Sequence, residues 1–364
     1  MILGLLSSPT ITLYMARTFL VRTLAVLAAL VLVLMALDLL GESGDILAYP
    51  GNGDAQLWHY VALRAPQIIA RFLPFSVLLG TLVTLATLNQ NSEIISMKAA
   101  GISAHQILAP LVVASIGVAI LSFWFNDRIV TRATATLTAW EAASYGPLPP
   151  DRGIATNIWV RDGDDLIHVN QVSGRGDAVR LSGVTVYDRA GGTLKTIVDA
   201  ATGVHRDGGW QLSNVRRFDV AADTVARLPA VTIGRGITPD RFTLADVDAD
   251  EHSFGSLREA IAELKAAGRP TGPLESGLWH KLSGPMSAIL MPLLAGVAAF
   301  GLARSGRLFI RAVIGMALGF TYFVADNFAL AMGNLGAYPP LLAAWAPFVL
   351  FLLIGEAVLI RTEE

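Results

Sequence analysis

Three carboxylates stand inside long apolar runs of this chain: Asp38, Asp326 and Glu356. An ionisable group in such a setting is costly to keep in hydrocarbon, so it marks a pathway, a pair or an interface. Asp38 and Glu356 lie near the ends of their runs, within reach of an interface. Asp326 is deeper, about 22 Å beyond Arg311 at a helical rise. With Asn327 it either lines a polar cavity or hydrogen-bonds between helices. Three cations complete the set: Arg64 and Arg71, about two helical turns apart and so on one face, and Lys281. Each must snorkel, pair, or face a watery cavity, and pairing of Arg71 with Asp326 is one way to satisfy both.

No pattern of covalent catalysis accompanies these groups. The sequence has no G-x-x-x-x-G-K-[ST] phosphate loop, so nucleotide hydrolysis would have to come from another subunit. The six histidines (His59, His105, His168, His205, His252, His280) follow no metal-ligand spacing, so no metal site and no cofactor is expected. There is no G-x-S-x-G elbow, and Ser173 and Ser213 sit in turn-like contexts that suit local backbone bonds. Cysteine is absent, which excludes disulfides and thiolate chemistry. A net charge of -2 gives no field for nucleic acid.

The elements that position these residues are set by hydropathy. Of 364 residues 53% are hydrophobic and 15% charged, with a mean hydropathy of +0.55, which makes an integral membrane protein. Six runs are long enough to span a bilayer: Phe19 to Leu40, Pro66 to Leu88, Ile107 to Phe125, Leu282 to Ala303, Leu308 to Met332 and Leu341 to Ile360. Arg17 and Arg22 precede the first as in a secretory signal, but the run is too long for a signal core and reads as an uncleaved anchor. A loop is expected from Gly41 to Trp58, and a kink at Pro74. The fold class is therefore an α-helical membrane protein of six transmembrane helices with an inserted all-β domain. The domains expected are 1–125 (helices one to three), 126–277 (insert) and 278–364 (helices four to six).

In the insert, short strands are expected at Thr156–Arg161, Asp165–Val172, Val179–Tyr187, Leu194–Val198, Gly209–Leu212 and Val215–Val220, between Gly- and Asp-rich turns. This spacing suggests a sandwich or jelly roll. Ser256-Leu257-Arg258-Glu259 has the form of a capping box and opens a helix over about 256–267. Short-loop cations at Arg17, Arg22, Lys98, Arg304, Arg307, Arg311 and Arg361 all fall on one side of the threading. Both termini are then cytoplasmic and the insert is outside. Arg64, Arg71 and Lys281 run against that trend.

The polar stretch Asn89 to Ser103, between spans two and three, is helix-compatible and longer than a tight connection needs. It reads either as a cytoplasmic helix on which a soluble partner pushes or as a solvated turn. Ile94, Met97 and Gly101 would share one side, with Glu93, Ser96 and Ala100 beside it, and Gly101 suits a left-handed helix end.

Six spans split by a β-insert, Asn91-Ser92-Glu93 through Ala99-Ala100-Gly101, Ile158-Trp159-Val160-Arg161-Asp162-Gly163, and Leu278-Trp279-His280-Lys281 together resemble the LptF/LptG permeases of the lipopolysaccharide exporter. Within that family Trp159 to Gly163, Tyr322 to Asn327 and Gly336 to Pro340 are nearer the LptG branch. The resemblance implies a permease subunit of an ABC transporter in a Gram-negative inner membrane, with a periplasmic insert. The implied partners are an LptF-like permease, an LptB-like ATPase dimer, and a periplasmic bridge of LptC and LptA. Lipopolysaccharide would enter a cavity between the permeases through gates on spans one and five. Glu93, Ser96, Met97 and Gly101 would couple to the ATPase, with Glu93 paired to an arginine there. Family members carry cations near the outer end of span one, where this chain reads Met35 to Glu42 without any. Arg64, Arg71 and Lys281, with Phe72 and Met35, are then the candidates for lipid contact. Two other classes stay open on the residues alone: a membrane scaffold with a periplasmic β-domain, and a lipid-modifying membrane enzyme.

Overall fold

The computed structural model describes residues 9–147, 155–174, 179–190, 193–206, 208–234, 237–239, 242, 247–266, 269–301 and 308–363. They fall into a helical unit, which extends to Pro147 and also holds Ala249–Ile261 and the chain from Pro270 on, and a sheet unit within Leu148–Asp248 and Ala262–Arg269.

Six helices of the helical unit are long and apolar enough to span a membrane. The first, α1 (Pro9–Ala48), continues well past Leu40, so most of the loop expected at Gly41–Trp58 is helix, and α2 (Asp54–Gln90) begins directly after a short turn. The extension is held by packing: Ile46 is buried with Tyr60, Leu137, Trp140 and Tyr145. Asn52 ties the turn down by donating to the carbonyls of Ile46 and Tyr145 at 2.8 and 2.9 Å. Pro66 and Pro74 both lie inside α2, so Pro66 does not mark its start.

The short helix α3 (Glu93–Ala99) leads to α4 (Ala104–Phe125). Helix then persists through a π-turn, Asn126–Val130, into α5 (Thr131–Ala142), so the third span is longer than its apolar run and the insert starts later than residue 126. The polar continuation is legible only in its contacts, since Leu137 and Trp140 belong to the cluster around Ile46.

After the insert, α6 (Phe254–Ala266) begins before the expected Ser256. Ser253 is the capping residue: its hydroxyl accepts the Ser256 N–H at 3.3 Å, while Asp127 accepts the Phe254 N–H at 2.6 Å. The remaining spans are α7 (Gly272–Gly296, prolonged by a π-turn, Val297–Gly301), α8 (Leu308–Asn334) and α9 (Pro340–Glu363). Two-thirds of α7's apolar window (67%) is buried, against 22% for α8 and 6% for α1, so α7 is the axis of the bundle and α1 and α8 are its least covered helices.

Small residues let these helices approach closely, as membrane packing requires. Leu78 and Leu82 of α2 sit over Gly319 and Gly315 of α8, and Phe75 meets Phe323 edge-on one turn further along. Leu108 of α4 sits over Gly296 of α7 in the same way.

The sheet unit is a six-stranded antiparallel meander, β1 (Ala155–Asp162), β2 (Asp165–Ser173), β3 (Arg180–Ala190), β4 (Thr193–Arg206), β5 (Gly209–Asp219) and β6 (Thr224–Ile233), paired in sequence order. The described strands thus do not cross over as a jelly roll's do. One face carries the ladder Ile158, Val169, Val184, Ala200, Val215, all buried and mutually paired. Trp210 closes that core by donating to the Ile237 carbonyl at 3.0 Å and meeting Phe242 edge-on. The two strands expected at Gly209–Leu212 and Val215–Val220 are one strand, with Asn214 left-handed at φ 54° inside it. Sequence patterning misses β6 because it is mostly exposed and contains Pro229, which an edge position tolerates.

Candidate functional site

Two groups of side chains merit description, the connection around α3 and the charged residues of α1, α2, α7 and α8. The polar stretch expected as one helix over Asn89–Ser103 is broken into a turn, a seven-residue helix and a second turn. Ser92 at φ 63° and Gly101 at φ +84° set the breaks. No atom lies within 4 Å of where a Gly101 side chain would start, so that glycine serves backbone conformation and not close packing. Ser103 then caps α4, its hydroxyl accepting from the Gln106 N–H while Gln106 Oε1 accepts from the Ser103 N–H.

The side expected to face a partner is split: Ile94 and Met97 are turned toward the core, whereas Ser96, Ala100 and Gly101 are exposed. Ile94 is buried in the helical core, and Met97 and Ile102 pack against it. What faces out is Ile95, 60% exposed, with Ser96, Ala99 and Ala100. Glu93 Oε1 receives the Tyr14 hydroxyl at 3.4 Å and the Asn91 amide at 3.2 Å, and the Ser96 hydroxyl donates to the Ser92 carbonyl. Lys98 Nζ lies 4.9 Å from the centre of the Phe300 ring.

The second group is organised by Asp38. Its Oδ1 accepts from Arg64 Nη2 at 3.0 Å, and its Oδ2 from Arg64 Nε at 3.0 Å and the Tyr60 hydroxyl at 2.6 Å. Arg64 Nη1 donates to Gln67 Oε1 at 2.9 Å. The reason is register: Tyr60 and Arg64 are one turn apart on α2, opposite Asp38 of α1. Arg64 is therefore engaged by a carboxylate, and Asp38 has a partner instead of simply reaching an interface. At the same end Glu42 accepts the Tyr145 hydroxyl at 2.7 Å, and burial with that bond pushes the phenol above its usual range.

Arg71 is exposed and forms no ion pair among the described residues. By the stagger that matches Leu82 to Gly315 and Leu78 to Gly319, it stands at the level of Asp326. Asp326 nevertheless turns to α7, its Oδ2 3.9 Å from His280 Nε2, so the Arg71–Asp326 pair does not form. Ser283 completes a polar row, its hydroxyl 3.4 Å from His280 Nδ1. Asn327 donates to the Phe323 carbonyl of its own helix at 2.8 Å and so bridges no helices through that bond. Glu356 reaches His105 at 3.4 Å. Phe72 is half-exposed beside Phe75, Lys281 is half-buried about 13 Å into α7, and Met35 is buried, 8% exposed. Sequence reading missed Tyr60 and His280 as partners because each is placed by helix–helix register and not by a motif, and it missed Gln67 although its spacing of three residues from Arg64 on one helix is a local signal.

Comparison with known proteins gives these features a context. LptG of Escherichia coli strain K12, a lipopolysaccharide export system permease protein, is 27% identical over 356 residues, covering 94% of this chain and 95% of that protein. LptG of Haemophilus influenzae is 26% identical over 329 residues, covering 86% and 89%. The family described as lipopolysaccharide export system permease LptF/LptG matches residues 13–361, which includes all six spans and the inserted sheet. This chain belongs to the LptF/LptG family of lipopolysaccharide export system permeases.

Proposed function

We propose that this chain is one of two permease subunits that lift lipopolysaccharide out of a Gram-negative inner membrane and pass it to a periplasmic bridge. A separate LptB-like ATPase dimer would supply the energy, an LptF-like chain the other half of the cavity, and LptC and LptA the bridge. Both termini would be cytoplasmic and the sheet periplasmic. The low burial of α1 and α8, spans one and five, supports their use as the gates through which lipid enters. Arg71, Phe72 and Lys281 would meet the lipid, while Asp326 with His280 and Asn327 serve the bundle.

The observation that carries the coupling role is the fixed, outward ridge of α3. Ile94 and Met97 anchor this helix to the core, so a push on Ile95, Ser96, Ala99 and Ala100 is transmitted to α2 and α4. Glu93 at its first turn would pair with an arginine of the ATPase. The test is copurification with a nucleotide-binding subunit through a tag on this chain. Ile95→Asp and Glu93→Ala should each release that subunit while the permease stays monodisperse. A full complement of ATPase on both variants would overturn docking at α3.

A further inference from the structure

Resting on the lipid-export reading, we propose that Asp38 sets the headgroup selectivity of this permease by closing Arg64 into an ion pair and so withdrawing it from the lipid. Both carboxylate oxygens are committed to the guanidinium, through Nε and Nη2 at 3.0 Å each, and Gln67 takes Nη1 at 2.9 Å. A planar fork engaged side-on by a carboxylate presents the same edge that a phosphate would need. The Tyr60 hydroxyl, from a residue only 1% exposed, fixes the carboxylate from below at 2.6 Å. The pair itself is not sealed: the side chains keep 32% and 23% of their exposure, so an anionic headgroup could compete for Arg64 if Asp38 were uncharged.

The surroundings strengthen the effect. Glu141 of α5 acts electrostatically on Arg64, and Glu42 of α1 on Tyr60 and Glu141, so two further carboxylates add negative charge around the Asp38–Arg64 pair. This end of the α1–α2–α5 group is net negative, and Arg71, two turns along α2, is left as the exposed cation of its face. A lipid with fewer or masked phosphates suits that field better than a doubly phosphorylated one.

The experiment uses the complex isolated through this chain and reconstituted in nanodiscs. A fluorescent lipid A is displaced by bisphosphorylated lipid A or by its fully dephosphorylated counterpart. Asp38→Asn keeps the shape and an acceptor for Tyr60 while removing the charge. It should raise the preference for the bisphosphorylated form about fivefold, which is about 1 kcal/mol, with affinity for the dephosphorylated form unchanged. Arg64→Gln and the double variant should both stay at the wild-type preference. An unchanged preference in Asp38→Asn, a rise that persists in the double variant, or a loss of preference in Arg64→Gln alone would each overturn the assignment. Failure of the wild-type complex to bind either lipid would instead sink the export reading on which it rests.

Discussion

Gly80 of α2 is the position where one added carbon should do the most damage to the bundle. A Cβ there would lie 2.3 Å from Thr23 Oγ1, 2.8 Å from Thr23 Cα and 2.9 Å from Thr23 N. The last two are backbone atoms of α1, so no rotamer change relieves them. Carbon atoms rest at about 3.5–4.0 Å, so α1 would have to retreat by about 0.7–1.2 Å. A gap of that size forfeits about a quarter to a half of each dispersion contact along the seam, where Phe19 and Leu27 flank Thr23 and are buried. Overpacking of this kind costs about 1–3 kcal/mol. Gly80→Ala should therefore lower the midpoint of thermal aggregation of the detergent-purified chain, and Gly80→Val should lower it further. Thr23→Ala should rescue little, because it removes the hydroxyl contact and leaves both backbone contacts in place. If Gly80→Ala melts with the wild type, or Thr23→Ala restores it fully, the backbone contact is not what limits the helix approach.

Trp210→Phe should destabilise the sheet by about 1–3 kcal/mol by leaving the Ile237 carbonyl unsatisfied, seen as faster limited proteolysis within residues 155–233 of the full chain. Arg71→Gln and Asp326→Asn should act additively on lipopolysaccharide crosslinking, since the two groups do not pair; mutual rescue would contradict the geometry. Protease added to intact spheroplasts should cut within the sheet unit and spare Lys98, and the reverse would invert the proposed topology. The purified permease alone should hydrolyse no ATP, as it has no phosphate loop; turnover in a preparation proven free of any nucleotide-binding subunit would refute this.

Hydrophobic length made the six spans legible, because a bilayer demands about twenty apolar residues whatever the neighbours are. The helix ends were not legible, because packing extends them. Glu42, Ser43, Gly44 and Asp45 look like a loop, yet they are helical because Ile46 and Glu42 meet Tyr60 and Tyr145 across the bundle. The strands with alternating apolar faces could be read, whereas β6 has no buried face to alternate. Around α3 the sequence holds two adjacent isoleucines, which on a helix stand about 100° apart, so that burying one fully leaves the other toward the edge of the packed face. Nothing local decides which, and the bundle does so by burying Ile94.

The charges show why single-residue rules stop short. The positive-inside rule counts each cation alone, so Arg64 stands out as misplaced beside Arg71. A bias of that kind acts on the charge a segment presents, and Asp38 cancels that of Arg64 through two bonds from a different helix. The pair links residues 26 positions apart, brought level by a helical hairpin in which α1 runs on past Asp38 to Ala48 and α2 resumes at Asp54, before Arg64. The same extension that sequence patterning mistook for a loop is thus what lets Tyr145 and Asn52 brace this end of α1, and with it the position of Asp38. Truncating that brace is a further check: Tyr145→Phe, which removes a charge-assisted bond worth about 1 kcal/mol or more, should loosen α1 there. A cysteine placed at Leu40, exposed in the wild type, gives a spin-label site whose mobility should rise in Tyr145→Phe and not in Arg71→Gln. Equal mobility in all three backgrounds would mean that the Ile46 cluster alone holds the helix, and that the hydrogen bonds at its end are incidental.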